Sequence, residues 1–327
     1  MPHGQGSGMT ELPPTTLVAR TPEDLLAMVP IVIGFAPAES VVMLTFGAEH
    51  TFHARVDLPP PDDVDEMVQA LLEPALRNGV RRVVFVIYAG AGPTRWAWRR
   101  LREGCRTARI DVLEALRAEG GRWYPLIGGD RRIREIGVPY DISAHPFAAQ
   151  AVLDGRVTHS SRDELASLLD TDPVRAAAIG ELVDRASTPP DTRAEGQWVI
   201  DLVRRHVAAG TSPADADLVR LLRALTETPL RDAAWSSFTR AEAQRHLDLW
   251  VDVLRRTPAS YVPPVATLLG FAAWQCGHGA LAWCAVDRCA EIDPEYTLMT
   301  YLATALNHAL PPSLWEPDGR WDSGLTA

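Results

Sequence analysis

The sequence predicts a protein of two parts, an α/β N-terminal half built on a mixed sheet and an all-helical C-terminal half. Convincing strand patterns occur only before residue 160, whereas helix start signals recur after it. With 327 residues, the chain is long enough for two domains of ordinary size. We therefore expect a flexible tail over 1–16, an α/β domain over 17–160, a helical domain over 161–312 and a frayed tail over 313–327.

The first predicted elements are a short helix and a hairpin. The segment Thr21-Pro22-Glu23-Asp24 carries an N-cap threonine, a proline in the first turn and a carboxylate that completes a capping box. Because proline disrupts a helix interior, we expect this helix to end before Pro30. The run Ser40–Phe46 and the alternating run Thr51–Leu58 predict two strands joined by a glycine-containing turn.

The next predicted elements alternate between helix and strand. Apolar residues at helical spacing predict a helix over Asp62–Asn78. The run Val83–Tyr88 is apolar on both faces, as expected for a central strand covered by helices. A long helix is predicted over Trp96–Ala118, and Arg122–Ile127 is predicted as a further strand. The order ββαβαβ indicates a mixed sheet with helices packed on it.

The C-terminal half shows recurrent helix start signals and no convincing strand after residue 160. Each signal is an N-cap residue followed closely by a proline or a carboxylate, and the N-cap candidates are Ser161, Asp172, Ser212 and Thr239. Near the end, the turn Cys276–Gly279 separates two helical segments rich in alanine, which lets helices approach closely. This arrangement predicts a tetratricopeptide-like helical pair.

Composition excludes several classes of protein. The sequence contains no lysine, so all 32 basic residues are arginines, which excludes Schiff-base, P-loop and kinase-type lysine chemistry. The apolar run Val29 to Ala38 is far shorter than the roughly 20 residues that a membrane helix needs. Residues 1–10 lack the apolar core of a secretory signal, and we expect the four cysteines to be reduced thiols. We therefore expect a cytoplasmic protein with no membrane partner.

Charge is distributed unevenly along the chain. The net charge of −10 argues against nucleic acid as a partner of the whole protein. Within residues 81–109, however, eight arginines accompany a single carboxylate, Glu103. This local excess indicates a site for an anion.

Two stretches, one near each end of the chain, carry distinctive motifs. The first is TPEDLLA at 21–27, followed by GFAPAESVV at 34–42. The second is LLGFAAW at 268–274, followed by GHGALA at 277–282 and DPEY at 293–296. Together they resemble the start and the end of an uncharacterised actinobacterial family of unknown function, and the resemblance spans about residues 17 to 312. It implies the two-part architecture and a bacterial cytoplasm, and it implies no reaction.

Two groups of residues are candidates for binding. The mixture of arginine and tryptophan from Arg95 to Arg102 suits a surface that binds phosphate or single-stranded nucleic acid. On a helix, however, the same residues also suit an ordinary packing pattern, in which the tryptophan lies in a buried stripe and the arginines form a solvated face. The anion-binding candidates are Arg95, Arg99, Arg100, Arg102 and Arg122. The turn motif Gly34, Phe35, Pro37 and Ser40 could present backbone N–H groups to an anion, or could serve packing alone.

A third candidate is the polar loop that contains Asp130, Asp141 and His145, since loops on a rigid sheet often carry function. No G-x-S-x-G elbow accompanies it. The spacing of Cys276, His278 and the later cysteines fits no common zinc pattern, so we predict no metal and no cofactor.

These observations favour a non-catalytic protein whose partner is another protein. The helical half and the lack of a strong catalytic motif motivate this hypothesis. The alternative is an enzyme or sensor that binds a small anionic molecule, such as a nucleotide or a phosphorylated metabolite, in the α/β half. In open α/β sheets such ligands lie beyond the carboxyl ends of strands, here near Ala89 to Thr94.

Overall fold

The computed structural model describes residues 17–186, 192–315 and 321–322. The predicted tail over 1–16 lies outside the described residues. Within these described ranges, six strands form one sheet in the order β2-β1-β3-β4-β5-β6, in which only β3 and β4 are parallel. The strands are β1 (Ser40–Phe46), β2 (His53–Asp57), β3 (Arg82–Tyr88), β4 (Asp111–Glu119), β5 (Arg122–Pro125) and β6 (Val138–Pro139). The prediction of a mixed sheet is therefore confirmed.

Helices cover both faces of the sheet. The helices of this half are α1 (Pro22–Ile33), α2 (Val64–Arg77), α3 (Ala91–Ala108), α4 (Arg131–Ile136) and α5 (Pro146–Leu153). Alternate residues of β3 point to opposite faces, so Phe85 packs with Leu101 of α3, whereas Val86 packs with Leu26 of α1. The sheet thus has two separate apolar cores, one on each side.

Two sequence predictions in this half are wrong. The predicted helix over Trp96–Ala118 ends at Ala108, and Arg109 follows with a left-handed φ of 55°. The remaining residues form β4, because backbone pairing with β3 outweighs their helix propensity. Helix α1 also continues past Pro30 to Ile33. The proline removes a single helical hydrogen bond there, and the burial of Val29 and Ile31 offsets that loss.

The C-terminal half is helical throughout its described residues, as predicted. It consists of short 3₁₀ turns and the helices α6 (Arg162–Ser167), α7 (Pro173–Val183), α8 (Thr192–Ala209), α9 (Asp215–Leu225), α10 (Thr228–Trp235), α11 (Ala243–Arg255), α12 (Val262–Gln275), α13 (Gly279–Ala290) and α14 (Thr297–Asn307). None of the helices in the described ranges is long and apolar enough to cross a membrane.

Helix α12 is the centre of this half. All of its residues are buried, and it packs against α9, α11, α13 and α14. Helices α12 and α13 form the predicted pair, and Gly270 permits their close approach, since a Cβ there would lie 3.1 Å from the Cβ of Ala285. Because α12 is enclosed on all sides, its surface offers no open groove to a peptide.

The two halves are joined by a buried side chain and by a side-chain hydrogen bond. Phe35 follows α1 and is buried in the apolar core of the helical half. The flanking backbone is paired with His159, because Ala36 N donates to His159 O and His159 N donates to Gly34 O, both at 2.9 Å. At a second point, Asn78 Nδ2 donates to His308 O at 3.1 Å.

The predicted frayed tail is packed where the structure describes it. Trp315 lies in an aromatic cluster, with ring centroids 4.6 Å from Phe271 and 5.9 Å from Trp235. Trp321 packs against the same apolar core. These contacts arise because the large apolar side chains bury surface that solvent would otherwise reach.

Candidate functional site

A row of unpaired arginines lies along one face of α3. Arg95, Arg99, Arg102 and Arg106 follow each other at intervals of four, three and four residues, which places them on one side of a helix. All four are exposed. Within the described ranges, none of them has an ion pair or a side-chain hydrogen bond. We call these four residues the arginine face.

The opposite side of α3 holds the helix against the sheet and α2. Thr94, Ala97, Leu101 and Cys105 are buried there. Gly104 lets α2 approach, since a Cβ at that position would lie 2.7 Å from a methyl of Leu72. The buried stripe therefore fixes the helix, and the arginine face is directed away from both the core and α2.

Two of the predicted anion-binding arginines are engaged elsewhere. The guanidinium of Arg100 donates to Asp65 Oδ1 on α2 at 2.7 Å and to Glu103 at 3.0 Å. Arg122 donates to the carbonyl oxygens of Ile136 at 2.8 Å and of Gly137 at 2.9 Å, which anchors the end of α4. Neither guanidinium belongs to the arginine face.

Two further arginines, which are not among the predicted anion-binding residues, extend the row. Arg106 completes the arginine face, and the exposed Arg109 follows at the end of α3. The regular interval of four and three residues from Arg95 was the signal that could have identified them.

Helix α3 lies within a basic segment of an otherwise acidic chain. Residues 81–136 contain thirteen arginines against six carboxylates, a net charge of +7. Because the chain as a whole carries −10, the other residues carry −17. The arginine face therefore belongs to a basic segment of an acidic chain, whereas α2 and the turn before it, which pack against α3, carry the carboxylates Asp62, Asp63, Asp65, Glu66 and Glu73.

The tryptophans of α3 are not free for stacking. The rings of Trp98 and Phe85 pack edge to face, with centroids 6.3 Å apart. Trp96 and Trp98 are both half-buried and both pack against the core under α3. The tryptophans thus belong to the buried stripe rather than to a base-stacking surface.

The N-terminus of α3, where the sequence suggested a small anion, already faces a carboxylate. Gly90 is the N-cap residue and provides no side-chain cap. An oxygen of Glu119 would lie 3.2 Å from a Cβ placed on Gly90, and Glu119 also forms an ion pair with Arg117. A carboxylate at this position repels a second anion, so the turn is unfavourable for a phosphate.

The polar-loop candidates have local structural contacts. Asp130 caps α4 by accepting from Arg132 N at 2.7 Å, and Asp141 accepts from Ser143 N at 2.9 Å, which lowers the pKa of Asp141. His145 caps α5 through Nδ1, which accepts from the backbone N–H of Phe147. Its Nε2 lies 3.1 Å from Asp24 Oδ1, so the partner of His145 is a carboxylate of α1 and not Asp141.

The turn motif lies at the junction of the two halves. Gly34 ends α1 with a φ of 94°, a conformation that favours glycine. Phe35 and Pro37 are buried, and Ser40 begins β1. The Ser40 side chain is fully buried, and its Oγ has no hydrogen-bond partner among the described residues.

The helical half contains a cleft between α6 and α13 with a volume of about 400 Å³. The two arginines that line this cleft each have a carboxylate partner, unlike the four arginines of the arginine face. Arg162 is paired with Asp287, and Arg288 with Glu291. Among the residues the structure describes, no group of three or more His, Cys, Asp or Glu side chains is arranged to hold a metal ion.

The fold and the site together define a two-part protein, α/β and helical, with an exposed row of arginines on the α/β half. The chain belongs to the DUF4192 family, a domain of unknown function, whose model matches residues 22–313. The resemblance to a family of unknown function is therefore confirmed. No curated protein and no solved structure matches the chain.

Proposed function

We propose that this protein is a non-catalytic binding protein of the actinobacterial cytoplasm, and that its arginine face binds an acidic segment of another protein. The observation that carries the proposal is a row of four exposed arginines without ion-pair partners within the described ranges. The chain has 42 carboxylate residues against 32 arginines, so a shortage of carboxylates does not explain the row.

The row has an energetic cost that a partner would remove. Arg95 and Arg99 are four residues apart, Arg99 and Arg102 are three apart, and Arg102 and Arg106 are four apart. Like charges at these intervals destabilise a helix by roughly 0.2–0.5 kcal/mol per pair. Carboxylates placed beside the guanidinium groups would turn this repulsion into attraction.

An acidic protein suits this surface better than a nucleic acid does. A protein of net charge −10 repels a long polyphosphate, whereas a short acidic segment contacts only the arginine face. Single-stranded nucleic acid also needs exposed aromatic side chains, and Trp96 and Trp98 pack against the core.

The state of the cysteines supports the cytoplasm as the compartment. All four are free, and Cys105, Cys284 and Cys289 are buried. Burial raises the pKa of the Cys105 thiol to about 12, which keeps it protonated and unreactive. Unpaired thiols are typical of a reducing compartment.

The test is the binding of fluorescently labelled polyglutamate to the whole chain, followed by anisotropy at about 0.1 M salt. We expect Arg99→Glu combined with Arg102→Glu to weaken binding by about tenfold or more, because two attractive contacts become repulsive. The matched control is Arg204→Glu combined with Arg245→Glu, which reverses two exposed arginines of α8 and α11.

Two results would contradict the proposal. Equal loss in both double variants would mean that only net charge matters. Tighter binding of single-stranded DNA, of anionic lipid vesicles or of inorganic phosphate than of polyglutamate would replace the acidic protein with another class of ligand.

A further inference from the structure

We infer that the segment bound by the arginine face is an α-helix that lies along α3 and carries carboxylates at the same alternating intervals of four and three residues. This inference rests on the proposed function and goes further, since it assigns the conformation and the charge pattern of the partner. Three features of the described residues support it.

The first feature is the axial spacing of the guanidinium groups. From Arg95 to Arg106 the helix rises about 16.5 Å, or about 5.5 Å from one arginine to the next. Carboxylates on one face of a second helix, at the same intervals, repeat at the same distance. Those on one side of an extended chain repeat at about 6.7 Å, so they fall out of step by about 4 Å across the row.

The second feature is the angular position of the row. Intervals of four and three residues keep side chains on a single, slowly drifting stripe, which is the pattern that two packed helices share. An acidic helix with this pattern, crossing α3 at a small angle, would meet all four guanidinium groups at once.

The third feature is an asymmetry between the two sides of α3. On the side of α2, Arg100 contacts Asp65, so that side already carries a carboxylate that would repel an acidic helix. A helix seated on the side away from α2 would therefore avoid that carboxylate and keep its charge complementarity with the arginine face.

The experiment compares three labelled acidic peptides of equal composition and about 20 residues, long enough to form a helix alone. The first is a capped, alanine-rich helix with four glutamates at intervals of four, three and four. The second has the same glutamates distributed around the helix. All three peptides contain one proline. It stands at the first position of the first two peptides, where a helix tolerates it. The third peptide keeps the glutamate pattern of the first but carries the proline at its centre, where it disrupts the helix. Circular dichroism establishes which peptides are helical.

We expect the patterned helix to bind the whole chain about tenfold more tightly than the other two peptides. The advantage should disappear in the Arg99→Glu and Arg102→Glu double variant and persist in the Arg204→Glu and Arg245→Glu control. Equal binding of all three peptides, lost in the first variant, would overturn the helical register and leave the proposed function standing. Failure of every acidic peptide to bind would overturn both.

Discussion

Arg100 contacts Asp65 across the boundary between α3 and α2, with Nε and Oδ1 2.7 Å apart. This contact has two consequences. It links the two helices that cover one face of the sheet, and it removes one guanidinium from the surface on which its neighbours are unpaired. Arg99 and Arg100 are adjacent in the chain but therefore have different roles.

The first prediction separates these two arginines. Arg99→Ala should weaken polyglutamate binding by about threefold, the effect of one exposed charge contact. Arg100→Ala combined with Asp65→Ala, which keeps the net charge, should leave binding nearly unchanged, because the guanidinium of Arg100 faces Asp65 and Glu103 rather than the ligand. Both affinities are measured by anisotropy at one salt concentration. Equal losses would show that Arg100 also faces the ligand.

The second prediction concerns the close approach of α12 and α13. A Cβ on Gly270 would lie 3.1 Å from the Cβ of Ala285 and 2.7 Å from a methyl of Leu302. The methyl of Leu302 can move, whereas the Cβ of Ala285 is held by its helix. Gly270→Ala should therefore lower the free energy of unfolding by about 1–2 kcal/mol, although alanine alone favours a helix.

Urea unfolding measures this change, and Gly279→Ala is the matched control because nothing lies within 4 Å of its Cβ position. A Gly270→Ala protein as stable as the unsubstituted chain would mean that α13 and α14 shift without cost.

Strands and helices could be predicted from the sequence where local pattern and tertiary contacts agree. Strands β1 and β3 are apolar and β-branched, so their residues alone predict them. The segment 113–118, LEALRA, has the composition of a helix and forms part of β4 because it lies between β3 and β5 in the sheet. No local sequence pattern predicts the pairing of this segment with β3 and β5.

The candidate site shows the same limit. The intervals between Arg95, Arg99, Arg102 and Arg106 can be counted in the sequence, and they predict a common face. The engagement of Arg100 depends on a residue 35 positions earlier in the chain. Sequence pattern thus predicts which arginines share a face, and only the fold determines which of them have partners.

The third prediction concerns the attachment of the C-terminal segment to α8. A Cβ on Gly196 would lie 2.0 Å from Cη2 of Trp321, so the ring of Trp321 rests where only glycine fits. Gly196→Ala should displace Trp321 while α8 remains intact, since alanine favours a helix. We expect faster proteolytic removal of the C-terminal residues, with a change of about 1 kcal/mol or less in the free energy of unfolding.

Mass spectrometry of a brief protease digest measures this release. The control is Gly92→Ala in α3, where nothing lies within 4 Å of the Cβ position. Equal cleavage rates in the Gly196→Ala and Gly92→Ala proteins would mean that Trp321 does not hold the segment.

The fourth prediction is a loss of stability in mild acid caused by His246. This residue of α11 is 2 % exposed, its ring centroid lies 4.5 Å from that of Phe238, and its Nδ1 has no hydrogen-bond partner within the described ranges. Desolvation lowers the pKa of His246 from 6.5 to about 4, and the nearby Glu242 only partly opposes the shift. The folded protein therefore keeps this imidazole neutral over a range in which the unfolded chain protonates it.

The sign of the effect follows from that difference. Above pH 6.5 both states have a neutral His246, and its contribution to stability is complete. As the pH falls from 6.5 to about 4, the unfolded state takes up a proton that the folded state does not, so the free energy of unfolding falls by about 3 kcal/mol. Urea unfolding at about pH 7 and about pH 4.5 measures this fall. His246→Leu should reduce the slope, whereas the exposed His50→Gln control should keep it. An unchanged slope in His246→Leu would assign the acid sensitivity to other groups.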